Sequence, residues 1–272
     1  LLEMVWHLDE PYAGGLPSWN VFKWMSKDVK VGLTGSGGDE MFGNYGKWKG
    51  LEGRRFFGLF SKPFAQTAEN FKNEFFEKYY YFSDDEKRNL VFANKGKGLS
   101  DTSGFLYSYF QSAQTENIRD EITYTDLSTQ LPEEFLMMTD RFSMAHSLEA
   151  RTPFLDREFM EFMLSIPSST RTKPNNLKYL LRDAIADLLP RELVYAGKKG
   201  FVIPIKLWLR TKLRPLVEYL LSPERLKKQG IFSPDFYSNF VLPHLEGKKD
   251  NTNKVWAALM FQLWHHVYLE RR

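Results

Sequence analysis

The sequence contains no cysteine. That single absence removes disulfide cross-links, thiolate metal ligands and a cysteine nucleophile together. No apolar run approaches the ~18 residues of a membrane span, and no signal peptide opens the chain. An excess of one charge is missing too: 37 basic residues face 34 acidic ones, for a formal net charge of +3. A nucleic-acid surface normally shows as a clustered basic excess, so no nucleic-acid partner is expected. A cytoplasmic protein without membrane association fits these absences. What the sequence does have is core material, with 43% hydrophobic and 16% aromatic residues. Extensive disorder is therefore excluded.

The chain starts at Leu1, and "LLEMVWHLDEP" reads as the middle of an amphipathic helix, so a piece of a longer polypeptide is expected. That helix breaks at Asp9-Glu10-Pro11. A second spans Pro17 to Met25, where Trp19, Phe22 and Met25 share a face. "VKVGLTG", Val29 to Gly35, is short, β-branched and glycine-bounded, the pattern of a buried strand. From Leu51 to about Asn117 the pattern is helical and aromatic-rich, including "FFGLF", "FKNEFFEKYYYF" and "FLYSYFQSA"; packing is the expected role of these rings. Ser83 marks a helix start followed by acids. Further helices are expected from Glu133 to about Ser147, Arg157 to Leu164, Asn176 to Leu189, from Pro204 through Leu213, and from Asn253 to Tyr268. Few strands and a majority of helix follow, organised as residues 1–50 (strand and loop), 51–120 (helical insertion), 121–205 (cleft segments) and 206–272 (terminal helices).

Chemistry is concentrated in "VGLTGSGGDEMFGNYGKW", residues 31–48. Gly35, Gly37 and Gly38 allow the backbone to approach a ligand closely. Amide groups beside a helix N-terminus suit an anion such as phosphate, and Thr34 adds a hydroxyl at the strand's carboxyl end. Asp39 and Glu40 make sense there in either of two ways. A divalent cation accompanying phosphates takes one or two carboxylates; alternatively, acids simply favour a helix start. Spacing alone leaves both open, since "GSGGDE" is neither a P-loop nor the dinucleotide fingerprint.

"HLDEPYAGGLPSW" followed by "VKVGLTGSGGDEMFGNYGKW" resembles the synthetase domain of the asparagine synthetase family. Downstream, "DRFSMAHSLEARTPFLDREFMEF", "LKYLLRDAIADLLP" and "GKKGFVIPIKLWLR" are similar to that family in the same order, over nearly the whole chain. The resemblance implies an α/β, predominantly helical fold of the Rossmann-like ATP-pyrophosphatase type, here lacking its first strands. It implies an ATP-dependent ligase: ATP adenylates a carboxylate, aspartate in the family, and ammonia released from glutamine displaces AMP to form an amide. Thr34 and Gly35, with Gly37 and Gly38, would face the nucleotide. Asp39 would ligate Mg2+, and Glu40 would line the substrate side.

By the same resemblance Lys198, beside Lys199, would offset charge as the acyl-adenylate forms and breaks; the bland reading is a solvated lysine pair. Glu149 and Arg151 either meet substrate or join Asp156 in a buried ion-pair lattice, the structural role being favoured. "DEP" at 9–11 is expected to shape the cleft entrance. The five histidines are expected to be structural or on the surface; His265 and His266, adjacent on a helix, would point about 100° apart.

Two features depart from the family. The Ser-Gly-Gly-x-Asp-Ser pyrophosphate loop appears nowhere in the sequence, and neither does the glutaminase domain with its cysteine. These residues alone are therefore expected to bind ATP weakly and to be inactive. Ser36 stands where family members commonly carry an acid, and a hydroxyl cannot serve as a carboxylate base. The substrate could thus be another carboxylate. The alternative reading is a non-catalytic relative acting in protein association. Missing upstream strands would leave an exposed apolar face, and with it self-association as a homo-oligomer.

Overall fold

The computed structural model describes residues 1–43, 55–56, 59–60, 81–95, 97–98, 102–115, 117–173, 176, 178–196 and 203–270. In chain order come α1 (Leu2–Leu8), α2 (Leu16–Met25), β1 (Val31–Leu33), α3 (Gly38–Phe42), β2 (Arg55–Phe56) and β3 (Leu59–Phe60). They are followed by α4 (Thr102–Ser112), α5 (Ile118–Ser128), α6 (Met137–Ala145), β4 (Glu149–Arg151), α7 (Arg157–Ser165), α8 (Ser168–Arg171) and α9 (Tyr179–Ala184). The last helices include α10 (Ile205–Arg210), α11 (Arg214–Leu220), α12 (Pro223–Gln229) and α13 (Thr252–His265). The chain divides into two compact units. One combines Leu1–Trp24, Tyr80–Asp101 and Phe201–Arg272; the other combines Met25–Tyr79 and Thr102–Gly200.

In the first unit, α1 buries Met4, Val5 and Leu8 completely and packs against α13. The apolar stripe of α13 supplies the other side: Val255, Trp256, Leu259, Met260 and Leu263 are all buried. Each such side chain contributes about 1.5–3 kcal/mol relative to exposure, which is why this stripe docks rather than facing water. Trp256 keeps its indole N–H satisfied by donating to the Ala13 carbonyl at 2.6 Å. Phe232, Phe236 and Phe240 pack as tilted rings in succession with centroids 5.4 and 4.9 Å apart, extending the aromatic core. Ser83 caps its short helix through a reciprocal bond with Glu86, as the sequence led us to expect.

His244 is fully buried in this unit. Its Nδ1 accepts from the Asn251 backbone N–H at 3.3 Å, and Nε2 has no hydrogen-bond partner among the described residues. Burial pushes its pKa below the ordinary value of 6.5, and the Arg210 and Lys206 cations push the same way against a smaller opposing pull from Asp250. The unfolded chain therefore binds the proton first as pH falls below about 6.5, and stability is lost between that value and the lower folded one. Urea midpoints are expected to drop from pH 7.5 to pH 5.5. His244→Gln should flatten that dependence; an unchanged slope would remove His244 as its source.

In the second unit, β1 and β4 pair in parallel, with Val31 opposite Glu149, Gly32 opposite Ala150 and Leu33 opposite Arg151. Below them, Met41, Phe42 and Met163 form a buried cluster with Leu127, Phe154, Phe159, Leu180 and Leu181 against it. Parallel sheets usually have both faces covered. Here Gly32 is buried, whereas Val31 and Leu33 face solvent, Leu33 at 72% exposure. The buried strand expected over Val29–Gly35 is therefore corrected: β1 is three residues long and only Gly32 is buried, because pairing with β4 satisfies an edge of the strand without covering the face that carries Val31 and Leu33.

Three local expectations need correction. "FFGLF" contributes to an antiparallel strand pair, Arg55 with Phe60 and Phe56 with Leu59, rather than a helix, because aromatic residues suit a pleated surface as well as a helical one. The segment 133–147 opens with a wide π-type turn over Leu131–Leu136, containing Pro132, before α6 begins. The helix expected over 176–189 shortens to Tyr179–Ala184: Lys178 takes a left-handed conformation with φ 55° just before it, and Ile185 leaves the helical region at φ −106° just after it. "FKNEFFEKYYYF" lies almost wholly outside the described residues. Among the described residues no helix is long and apolar enough to cross a membrane.

A candidate anion and cation site at the glycine loop

The ladder between β1 and β4 runs one bond past the strand: the Thr34 N–H donates to the Arg151 carbonyl at 2.8 Å. The chain then turns tightly, the Gly38 N–H donating to the Gly35 carbonyl at 3.2 Å, and α3 starts. The Thr34 hydroxyl donates to the Ser36 hydroxyl at 3.3 Å, which ties the two side chains of the loop together.

Each glycine has its own reason. Gly37 has φ 89°, a region L side chains rarely adopt, and a Cβ there would lie 2.2 Å from Leu155 Cδ2. A Cβ on Gly38 would press on the Phe154 ring at 3.2 Å. "TPFLD" thus backs the loop from behind, with Phe154 and Leu155 filling the space the glycines leave. At Gly35 a Cβ would meet nothing within 4 Å, and the residue is exposed. The open side of the loop is therefore at Gly35, where backbone can meet a ligand.

The far end of α3 is held by an arginine. Arg171 is 1% exposed. Its Nε donates to the Ile166 carbonyl at 3.0 Å, Nη1 to the Met41 carbonyl at 3.2 Å and Nη2 to Asp120 Oδ1 at 3.1 Å. Burial lowers its pKa while Asp120 opposes that shift; a guanidinium nevertheless stays charged in proteins. The next turn closes with Gly43 at φ 65°, where a Cβ would strike Thr172 Cγ2 at 2.7 Å. The Arg171 fork and the glycine turn together fix the position of the helix carrying Asp39 and Glu40.

Asp39 and Glu40 differ sharply. Glu40, expected on the substrate side, is 4% exposed and belongs to the packed side of α3. Asp39 is partly exposed, and its Oδ1 pairs with Lys178 Nζ at 2.6 Å. The sequence reading gave Lys178 no role because it placed the residue inside a helix; the signal was its position in "LKYLLRDAIADLLP". Lys198 and Lys199 lie outside the described residues. Glu149 and Arg151 pair at 2.8 Å, but with 56% and 62% of their side chains exposed. The buried lattice is therefore absent: Asp156 instead caps α7 by accepting from the Phe159 N–H at 3.1 Å. β4 runs beside β1 and its outward positions face water, which explains the exposure.

The Asp39 position suits a cation, since an ammonium already sits against it. One partly buried carboxylate is also within what magnesium uses beside phosphate oxygens. Among the described residues no three His, Asp or Glu side chains gather into a metal cage. A cavity of about 300 Å3 lies in the other unit, lined by Tyr81 and residues 250–254. None of those residues belongs to the glycine loop. His265 and His266 each approach a different carboxylate oxygen of Glu270, their Nδ1 atoms at 3.3 and 2.9 Å, where the helix widens into a π turn.

Comparison with known proteins identifies the family. A family model described as asparagine synthase matches residues 1–266. The asparagine synthetase [glutamine-hydrolyzing] 1 of Bacillus subtilis is 26% identical over 303 aligned residues, covering 100% of this chain and 46% of the relative. A putative asparagine synthetase [glutamine-hydrolyzing] of Mycobacterium tuberculosis is 28% identical, covering 99% of this chain and 44% of its own. The Gallus gallus asparagine synthetase is 33% identical over 124 residues, 43% of this chain. The chain spans less than half the length of the bacterial relatives it matches.

Proposed function

Because the chain belongs to the asparagine synthase family, we propose that it is the synthetase portion of a cytoplasmic, AMP-forming, carbon–nitrogen ligase. The substrate carboxylate, aspartate by family analogy, attacks the α-phosphate of ATP and pyrophosphate leaves. Ammonia, drawn from glutamine, then attacks the acyl carbon, AMP departs with the bridging oxygen, and a proton is lost from nitrogen.

The observation carrying this reading is the open glycine loop with Asp39 in the following turn, at the carboxyl end of a parallel strand pair. Gly35 presents its backbone on the open side, the Thr34 hydroxyl lies beside it and would have to turn from Ser36 to meet a nucleotide, and Gly37 and Gly38 permit the turn. Asp39 would hold Mg2+, which supplies charge neutralisation to the phosphate oxygens when bound. Lys198 would offset the negative charge developing on the phosphate and acyl oxygens. Arg151 ends the adjacent strand, and it and its exposed partner Glu149 would be the groups that meet a polar substrate there. Ser36 keeps amidation of another carboxylate in view, because its hydroxyl is no general base.

The test is product analysis of the polypeptide carrying this sequence, supplied with ATP, ammonia and a panel of carboxylates. AMP and pyrophosphate in equal amounts with an amide, lost in Lys198→Ala, are the expected products. ADP formation, or an active Lys198→Ala protein, would sink the assignment. Residues 1–272 alone lack the Ser-Gly-Gly-x-Asp-Ser loop and are expected to bind ATP weakly.

A further inference from the structure

The motif "LKYLLRDAIADLLP" entered the family resemblance without a function, and the structure puts its lysine at the glycine loop. Lys178 is one of five described non-glycine residues with positive φ, at 55° and ψ 34°. For a side chain of this kind a left-handed backbone is unfavourable by about 1–2 kcal/mol, and it persists where surrounding structure holds it. The surroundings here do so. Its carbonyl accepts from the Arg182 N–H at 2.9 Å, which commits it to the start of α9, while Leu180 and Leu181 pack against the Met41–Phe42–Met163 cluster. Just upstream, Lys173 lies 3.4 Å above the Tyr179 ring centroid. The outcome of this strained turn is an ammonium delivered to Asp39 Oδ1 at 2.6 Å, with 32% and 24% of the two side chains exposed.

Asp39 cannot be fully available to Lys178 and to a divalent cation at the same time. We propose that Lys178 is the resident counter-cation of Asp39, which must be exchanged for a divalent cation before the site can hold metal-bound polyphosphate. The inference rests on the reading of Asp39 as a metal ligand given above. It adds a device that reading does not contain: without ligand, the carboxylate beside the anion-binding loop is neutralised by the chain itself. A partly exposed pair can exchange in this way, since screened ion pairs are worth little compared with fully buried ones. Lysine suits the role as a compact charge on a flexible stem, which can leave without unfolding α9.

The experiment titrates Mn2+ into the polypeptide carrying this sequence by electron paramagnetic resonance, with and without inorganic pyrophosphate. It compares the native chain with Lys178→Met, Lys178→Gly and Asp39→Asn, checking the fold of each by circular dichroism. Lys178→Gly keeps the test sound if Lys178→Met folds poorly, because glycine relieves the left-handed strain. The expected result is Mn2+ binding about tenfold tighter or more in both lysine variants, equivalent to about 1.4 kcal/mol, and lost in Asp39→Asn. Equal affinity in the native and lysine variants, still lost in Asp39→Asn, would overturn the exchange and leave Asp39 as a ligand. Binding unaffected by Asp39→Asn, or absent from every variant, would overturn the reading of Asp39 and the exchange with it.

Discussion

Arg171→Met is expected to lower the unfolding free energy by about 3 kcal/mol, read as a lower urea midpoint at constant slope. The guanidinium is one of the largest fully buried side chains and satisfies two main-chain carbonyls, of Met41 and Ile166, besides the Asp120 carboxylate. Methionine fills much of the same volume but donates nothing. Each carbonyl left buried without a donor costs about 1–3 kcal/mol. Asp120 by contrast has 37% of its side chain exposed, so water can replace its partner. Asp120→Asn should therefore change stability by less than about 1 kcal/mol. Equal losses for the two variants would mean that the ion pair, rather than the carbonyl clamp, carries the stabilisation. Arg171 also holds the carbonyl end of α3, so its loss should raise amide exchange in Met41 and Phe42 before the rest of the unit opens.

Gly37→Ala is expected to destabilise by about 2–4 kcal/mol, combining left-handed strain with overpacking against Leu155. Gly35→Ala, two residues earlier, should fall within about 0.5 kcal/mol of the native chain, since its Cβ enters open space. The contrast is informative because both glycines stand in one motif. Gly37→Ala combined with Leu155→Ala should recover only part of the loss: the clash is gone, but φ 89° remains unfavourable and Leu155 packing is lost. Full recovery in the double variant would show that steric overlap alone makes glycine necessary. Thermal or urea melts of the four proteins decide this. Because Gly35→Ala leaves the fold intact, any effect it has on nucleotide turnover reports directly on the open face of the loop.

Much of the local architecture was legible in the sequence. The amphipathic opening of α1, the stripe of α13 and the Ser83 start follow from periodicity and capping chemistry that involve residues within a few positions of one another. Contributions from distant segments were not legible. Lys178 looked like an interior helix residue; its left-handed turn and its meeting with Asp39 depend on α9 packing against the core beside α3. Arg171 carried no sequence signal, because its partners Met41 and Asp120 lie 130 and 51 residues away. Glu149 and Arg151 paired as expected, yet in water, since burial depends on what covers a strand.

By itself, the sequence determined which stretches coil, where an anion-friendly glycine turn follows a strand, and to which family the chain belongs. These properties live in short-range spacing and residue type. Only the tertiary structure decided that Phe154 and Leu155 close the back of that turn, that a buried guanidinium anchors its helix, and that a lysine 139 positions downstream neutralises its aspartate. Such contacts arise from the packing of segments distant along the chain, and no local pattern specifies which of them will meet.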